Sequence, residues 1–358
     1  MLEHISHVTA PLQPFWLKRL PGEASRAPLR ASADMLRRRA SFDIGSGATK
    51  LMVADVELGP PARIMEVHFA QEVPVGFMMA LRQSGDGTLS PAIQDQGMEV
   101  MRALVAKCQE LAVGAGSRCA VATEVFRKAS NGADYLRRVK EELGLEAPIV
   151  TQEAEARLGF LTAVALQGRQ EEEVVCWDSG GGSFQVTSTD PCGGPLRTFL
   201  GALGSGNSLA MLVEDVQRHS FAEHPSPNPV SGVDAAALVA RMRACLSEPP
   251  SWLRGARVTA IGGPNSMFQL AADILGSSTY TGDNVREALG RVVGRTDGDL
   301  ATSYCQGDDR EPPSLCVPKI CLLLAVVEHC GLAEVSFQQA IGSCAGLLIS
   351  GERYAEGC

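Results

Sequence analysis

Residues 42–50 read Phe-Asp-Ile-Gly-Ser-Gly-Ala-Thr-Lys, and residues 176–184 read Cys-Trp-Asp-Ser-Gly-Gly-Gly-Ser-Phe. Both contain Asp-x-Gly-x-Gly: Asp43, Gly45 and Gly47 in the first, Asp178, Gly180 and Gly182 in the second. Each follows a short apolar run and precedes a strand-like one. Glycine lets backbone N–H groups approach an oxyanion closely and accepts positive φ. One such turn is weak evidence. Two at matching places predict two similar half-domains with a phosphate gripped between them. A carboxylate beside phosphate repels it unless a cation lies between, so Asp43 and Asp178 predict Mg²⁺ as cofactor.

The flanking pattern extends this. Strands are expected at 41–44, 49–56 and 62–71, with a helix opened by Ser90 and Pro91. A strand at 118–122 follows, then a helix at 133–143 capped by Asn131 and closed by Gly144. A strand at 148–150 and a helix at 153–167 complete the unit. The second half repeats the order: strands at 173–177, 183–189 and 195–200, then a helix at 206–218. A proline-rich loop covers 220–233. A helix at 234–246 and a strand at 257–261 come next, and Gly262-Gly263-Pro264 leads into a helix. Residues 296–314 read as a polar surface loop, and 318–330 as a buried apolar helix. The expected fold class is α/β: two duplicated actin-like (ribonuclease H-like) domains with an inter-domain cleft. The expected division is a leader over 1–39, a first domain over 40–167 and a second over 168–358.

Bulk properties narrow the function. The chain has 358 residues, 45% hydrophobic and 20% charged, with net charge −9. No global basic field is present to attract a DNA or RNA polymer. The strongest apolar run, 320–327, is far shorter than the ~20 residues of a membrane span. The 11 cysteines show no CxxC pair, which argues against zinc and for reduced thiols, with Cys358 exposed. His4 and His7 fall in the leader; His68, His219, His224 and His329 are expected to sit apart. Residues 1–40 hold seven Lys/Arg against three acids. A cytoplasmic location is expected, with an organellar transit segment as the alternative.

Four stretches, Phe42–Gly47, Ala122–Leu136, Thr151–Leu158 and Trp177–Ser183, resemble the exopolyphosphatase and guanosine pentaphosphatase (Ppx/GppA) family in order and spacing. Ile261–Ser266 is similar to its later glycine turn, and the similarity runs from about residue 40 to 350. The resemblance implies that Glu155, just before Ala156-Arg157, is the general base and that Arg127 grips phosphate. It implies phosphate donors at Gly45, Ser46, Gly47, Gly180, Gly181, Gly182 and Ser183, and Mg²⁺ at Asp43 and Asp178. Gly262 and Gly263 would touch a nucleotide. The implied activity is a hydrolase removing terminal phosphate from inorganic polyphosphate or from guanosine penta- or tetraphosphate, possible homodimer included. Departures favour an alternative, a catalytically weak or inactive relative that binds phosphate or nucleotide and signals by domain closure. Gly47 stands where the family has Asn, and Gln185 where it has Glu. Gly201–Ser205 lacks the family arginine, Pro264 replaces Thr, and Ser343–Gly346 replaces Leu-Arg-Glu-Gly. A third reading is a kinase or nucleotide-driven machine of the same fold. The basic residues Arg137, Arg138 and Lys140 are expected to form a solvated helix face rather than a polyanion track.

Overall fold

A computed structural model describes residues 35–167, 171–221, 223–306 and 312–350. The expected leader, with His4 and His7, falls on 1–34, outside the described residues apart from its last five positions, and Cys358 also lies outside them. Leu36–Arg39, assigned above to the leader, instead form the start of the first strand.

In the first half, β1 (Leu36–Ile44), β2 (Ala48–Glu57) and β3 (Arg63–Pro74) form an antiparallel meander. Helices α1 (Phe77–Gln83) and α2 (Pro91–Glu110) follow, then β4 (Arg118–Ala122), α3 (Glu124–Lys128), α4 (Gly132–Leu143) and α5 (Gln152–Gln167). The sheet order is β3-β2-β1-β4, with β4 parallel to β1. In the second half, β5 (Val175–Ser179), β6 (Phe184–Ser188) and β7 (Arg197–Gly201) repeat the meander. Next come α6 (Ser205–Ala210), continued by a π-helical segment to Val216, and α7 (Gly232–Ala244). They are followed by β8 (Arg257–Gly262), α8 (Met267–Leu275), β9 (Thr279–Tyr280), α9 (Gly282–Val292), α10 (Asp297–Tyr304), α11 (Cys316–Cys330), β10 (Glu334–Gln339) and α12 (Cys344–Ile349). The second sheet runs β7-β6-β5-β8-β10-β9.

The duplication holds at the level of register. Asp43 pairs with Lys50 across the first hairpin, and Asp178 pairs with Gln185 across the second. Toward the parallel strand, Asp43 faces Val121 and Asp178 faces Ile261. Each hairpin closes by the same bond: Gly45 N–H donates to Ala48 O, and Gly180 N–H to Ser183 O, both at 2.9 Å.

Some expected elements change. The strand at 148–150 reduces to one bridge, Ile149 to Ala122, because Pro148 has no N–H to extend a ladder. Asn131 stands at the start of α4 but makes no cap bond; its side chain instead bonds both N–H and C=O of Leu89. The polar stretch after 296 contains α10, whose Thr296 and Asp299 form a reciprocal capping box. Within that stretch, 307–311 lie outside the described residues. Arg137, Arg138 and Lys140 each meet a carboxylate on an exposed face, as expected.

Each half has its own core, one around Phe42, Phe77, Phe126 and Tyr135, the other around Trp177, Phe184, Phe268 and α11. The eighteen residues Pro313–Cys330 are apolar enough to cross a membrane by composition, but 72% of them are buried in this second core. The halves are joined by two crossing helices. Helix α5 packs on β5 and β6, while α12 returns to pack on β1 and β2. Arg39 donates to Leu348 O and Ser41 to Cys344 O, fixing α12 to the first sheet. Where α5 and α12 cross, Thr162 accepts from Gly346 N–H at 2.8 Å. A β-carbon at Gly346 would sit 2.1 Å from Leu158 O. Gly346→Ala is therefore expected to destabilise the fold by about 1–3 kcal/mol in chemical denaturation, since overpacking forces the helices apart. An unchanged midpoint would contradict this crossing.

Candidate functional site

The two glycine turns meet across the inter-domain cleft. A β-carbon at Gly181 would lie 3.5 Å from Ser46 Cβ and 3.9 Å from Gly47 N. The cleft encloses about 110 Å³ and is lined by Asp43, Gly45, Ser46, Gly47, Glu155, Asp178 and Gly180–Ser183. Gly262 and Gly263, the turn between β8 and the Ser266-capped α8, also line it. The structure thus brings together every sequence-predicted site residue except Arg127 as cleft lining.

Arg127 lies behind the cleft wall. Its Nη1 donates to Val150 O at 2.6 Å and its Nη2 to Glu155 Oε2 at 3.0 Å. It therefore orients Glu155 in this structure, with one bond from each terminal nitrogen. The α3 turn that carries Arg127 is held by Phe126, which stacks on Tyr135 and meets Phe77 edge-on. Glu155 sits in the first turn of α5, where Thr151 Oγ1 accepts from Ala154 N–H as the cap.

Four further charged residues line the cleft: Lys50, Glu72, Glu124 and Lys319. Lys50 and Glu124 lie inside the quoted stretches, and hairpin pairing placed Lys50 opposite Asp43. Glu72, late in the third strand, and Lys319, on a helix read only as buried, carry no sequence signal. Lys319 Nζ bonds Asn265 O. Lys50 Nζ lies 3.8 Å from Asp43 Oδ2, which also accepts from Ser343 N–H at 2.9 Å.

The electrostatics follow from crowding. Burial pushes the Glu155 carboxyl up to about 8; Arg127 opposes this, and Asp178 and Asp43 add to it. Burial pushes Asp178 up to about 6, with Lys50 opposing and Asp43 reinforcing. Burial alone would lower the Lys50 ammonium, but Asp43, Glu72 and Asp178 outweigh it and raise it. Five carboxyl groups and two ammonium groups thus line the cleft, with Arg127 pairing Glu155 and Lys128 pairing Glu124. Asp43 Oδ1 is buried with no hydrogen-bond partner. Carboxylate oxygen donors, more acidic than basic groups in the lining and an orphaned carboxylate oxygen fit a hard divalent cation.

Elsewhere, Asp55, Glu66 and His68 cluster within metal-ligating distance of one another. Arg38 already makes a two-pronged pair with Asp55 there, at 2.9 and 3.1 Å. His68 therefore does not sit apart as expected; its Nε2 lies 2.8 Å from Asp55 Oδ2, against the Arg38–Asp55 pair. His219 and His224 also meet, with ring centroids 4.2 Å apart. Among the described residues the ten cysteines are free thiols.

Comparison with known proteins gives this site a setting. Residues 63–191 match the Ppx/GppA phosphatase family. An uncharacterised protein of Streptomyces coelicolor is 32% identical over 151 residues, 42% of either chain. Exopolyphosphatase 1 of Mycobacterium tuberculosis is 28% identical over 150 residues, 41% of either chain. The matched stretch thus spans about two fifths of these curated relatives. A solved Ppx/GppA protein of Aquifex aeolicus superposes with TM-score 0.65 at 20% identity, covering 88% of this chain and 97% of that one. An exopolyphosphatase of Cytophaga hutchinsonii gives 0.67 at 15% identity, covering 87% and 96%.

A pH titration tests the cleft's electrostatics. The fold favours protonated Glu155, so folding takes up a proton. That stabilisation is complete below an unfolded carboxyl's value of ~4.3 and is lost as pH rises through about 8. In metal-free protein, Glu155→Gln should gain about 1–3 kcal/mol on wild type between about pH 5 and about pH 8. Parallel unfolding curves across that range would contradict the crowding. Matched sequence and shared architecture agree: the chain is related to the Ppx/GppA phosphatase family and has its actin-like fold.

Proposed function

We propose that the protein is a phosphoanhydride hydrolase that removes the terminal phosphate of inorganic polyphosphate or of a guanosine penta- or tetraphosphate. The observation that carries this reading is Glu155 in a cleft between two glycine turns, pinned by Arg127 through one oxygen only. The other oxygen is left for a water. Glu155 takes a proton from that water as its oxygen bonds to the terminal phosphorus. The bridging P–O bond breaks on the opposite side, and the shortened chain leaves as the anion. Burial that raises the Glu155 carboxyl makes its ionised form a stronger base than an exposed glutamate.

Backbone N–H groups and hydroxyls of Ser46 and Ser183 would orient the terminal phosphate. Asp43 and Asp178 would hold a divalent cation, Mg²⁺ in this proposal, which when bound neutralises phosphate charge. Lys50, 3.8 Å from Asp43, adds a fixed positive charge beside it. Gly262 and Gly263 would flank a nucleotide moiety where the substrate carries one.

A second reading is a weak or inactive relative that binds phosphate or nucleotide and signals by domain closure. Gly47 and Gln185 favour it, because they remove a donor and a carboxylate expected from the resemblance. The substrate panel decides. Purified protein with Mg²⁺ is offered short polyphosphate, long polyphosphate, guanosine pentaphosphate and ATP, and phosphate release is followed. The hydrolase reading predicts release that Glu155→Gln lowers by about 10²–10⁴-fold. No release from any of the four, with binding intact, would overturn it in favour of the second reading. Release equal in Glu155→Gln would remove Glu155 from its role.

A further inference from the structure

Glu124 is buried at 6% exposure, opens α3 and lines the cleft. Its Oε1 pairs with Lys128 one helical turn on. Its Oε2 is shielded from solvent and has no hydrogen-bond partner. That oxygen is pressed against the second glycine turn: a β-carbon at Gly182 would sit 1.9 Å from Oε2 and 2.5 Å from the carboxyl carbon. Only glycine leaves room, so a carboxylate of the first domain is seated on the phosphate turn of the second.

The strand leaving that turn supplies no carboxylate of its own. Gln185, where a glutamate was expected, is buried and donates its Nε2 to Ser183 Oγ at 3.2 Å. Glu124 brings a carboxylate to the same turn from across the cleft. A phosphate oxygen cannot satisfy Oε2, because both are acceptors. A hard divalent cation can, because it binds carboxylate and phosphate oxygens together.

We infer that Glu124 is a further carboxylate ligand for a divalent cation in the cleft, joining the first domain to a phosphate at the Gly180–Ser183 turn. This deepens the proposed function, since it rests on a cleft that takes phosphate with a cation. It assigns a cation-holding role to a residue that neither the motif reading nor the family match singles out.

The test is a Mn²⁺ titration of the full chain followed by electron paramagnetic resonance, with no phosphate present. A His68→Ala background removes the Asp55–Glu66–His68 cluster as a competing site. Glu124→Gln should weaken Mn²⁺ binding by about 10-fold or more, as loss of a ligand does. Lys128→Ala, which keeps the carboxylate and removes its ammonium partner, should bind Mn²⁺ at least as tightly as the background. Glu124→Gln binding within about twofold of the background would overturn the inference and leave Glu124 as a partner for Lys128 alone. No Mn²⁺ binding in the background would overturn it too. If Glu124→Gln fails to fold, Glu124→Asp is read instead, with weaker binding expected and unchanged binding contrary. A chain that binds Mn²⁺ through Glu124 yet releases no phosphate would sink the hydrolase reading while this one stands.

Discussion

Two sets of backbone donors suited to an anion face five carboxylates in one narrow cleft, and this opposition constrains everything else. The glycine turns Gly45–Gly47 and Gly180–Gly182 can accept a phosphate only if its charge is not met by bare carboxylates. Lys50 relieves part of the crowding from within. It lies opposite Asp43 in the first hairpin, at the position that Gln185 holds opposite Asp178 in the second. The duplicated frame thus carries an ammonium on one side and an amide on the other. With Lys319 counted, the lining still holds more acidic than basic groups and leaves Asp43 Oδ1 without a hydrogen-bond partner, which is why the site reads as one built around a cation.

The frame that holds these groups is made by exchange between halves. Helix α5 leaves the first domain and packs on the second sheet; α12 leaves the second domain and packs on the first. The two cross at Gly346 and Thr162. Glu155 is on α5, and Ser343, which bonds Asp43, opens α12. Glu155 and Asp43 are therefore both positioned by the pair of helices that joins the domains.

Much of this was legible in the sequence, for physical reasons that can be named. The Asp-x-Gly-x-Gly pair marked both turns, although the need for glycine is sharpest at Gly182, where a β-carbon would meet Glu124 Oε2 at 1.9 Å, while Gly47 has open space and none of these glycines has positive φ. Ser90-Pro91 marked a helix start, because caps act locally. The rest depended on long-range packing. Helix α12 is six residues with an internal glycine and no capping bond, stable only because α5 and β1 cover it. Glu72 and Lys319 reach the cleft from a strand and a helix whose local patterns point elsewhere. Arg127 was recognised as a site residue, but its direction, toward Glu155 and the Val150 carbonyl, comes from the packing of Phe126 against Tyr135. Glu124 sat in plain view within a quoted stretch; its contact with Gly182 exists only across the domain interface.

The most direct test of the account is calorimetric titration of inorganic phosphate into the full chain, with and without Mg²⁺. The account predicts saturable binding in Mg²⁺ that disappears on chelation and is weakened by Asp178→Asn. Binding of equal strength without a divalent cation would contradict the claim that this acidic cleft takes phosphate only together with a cation.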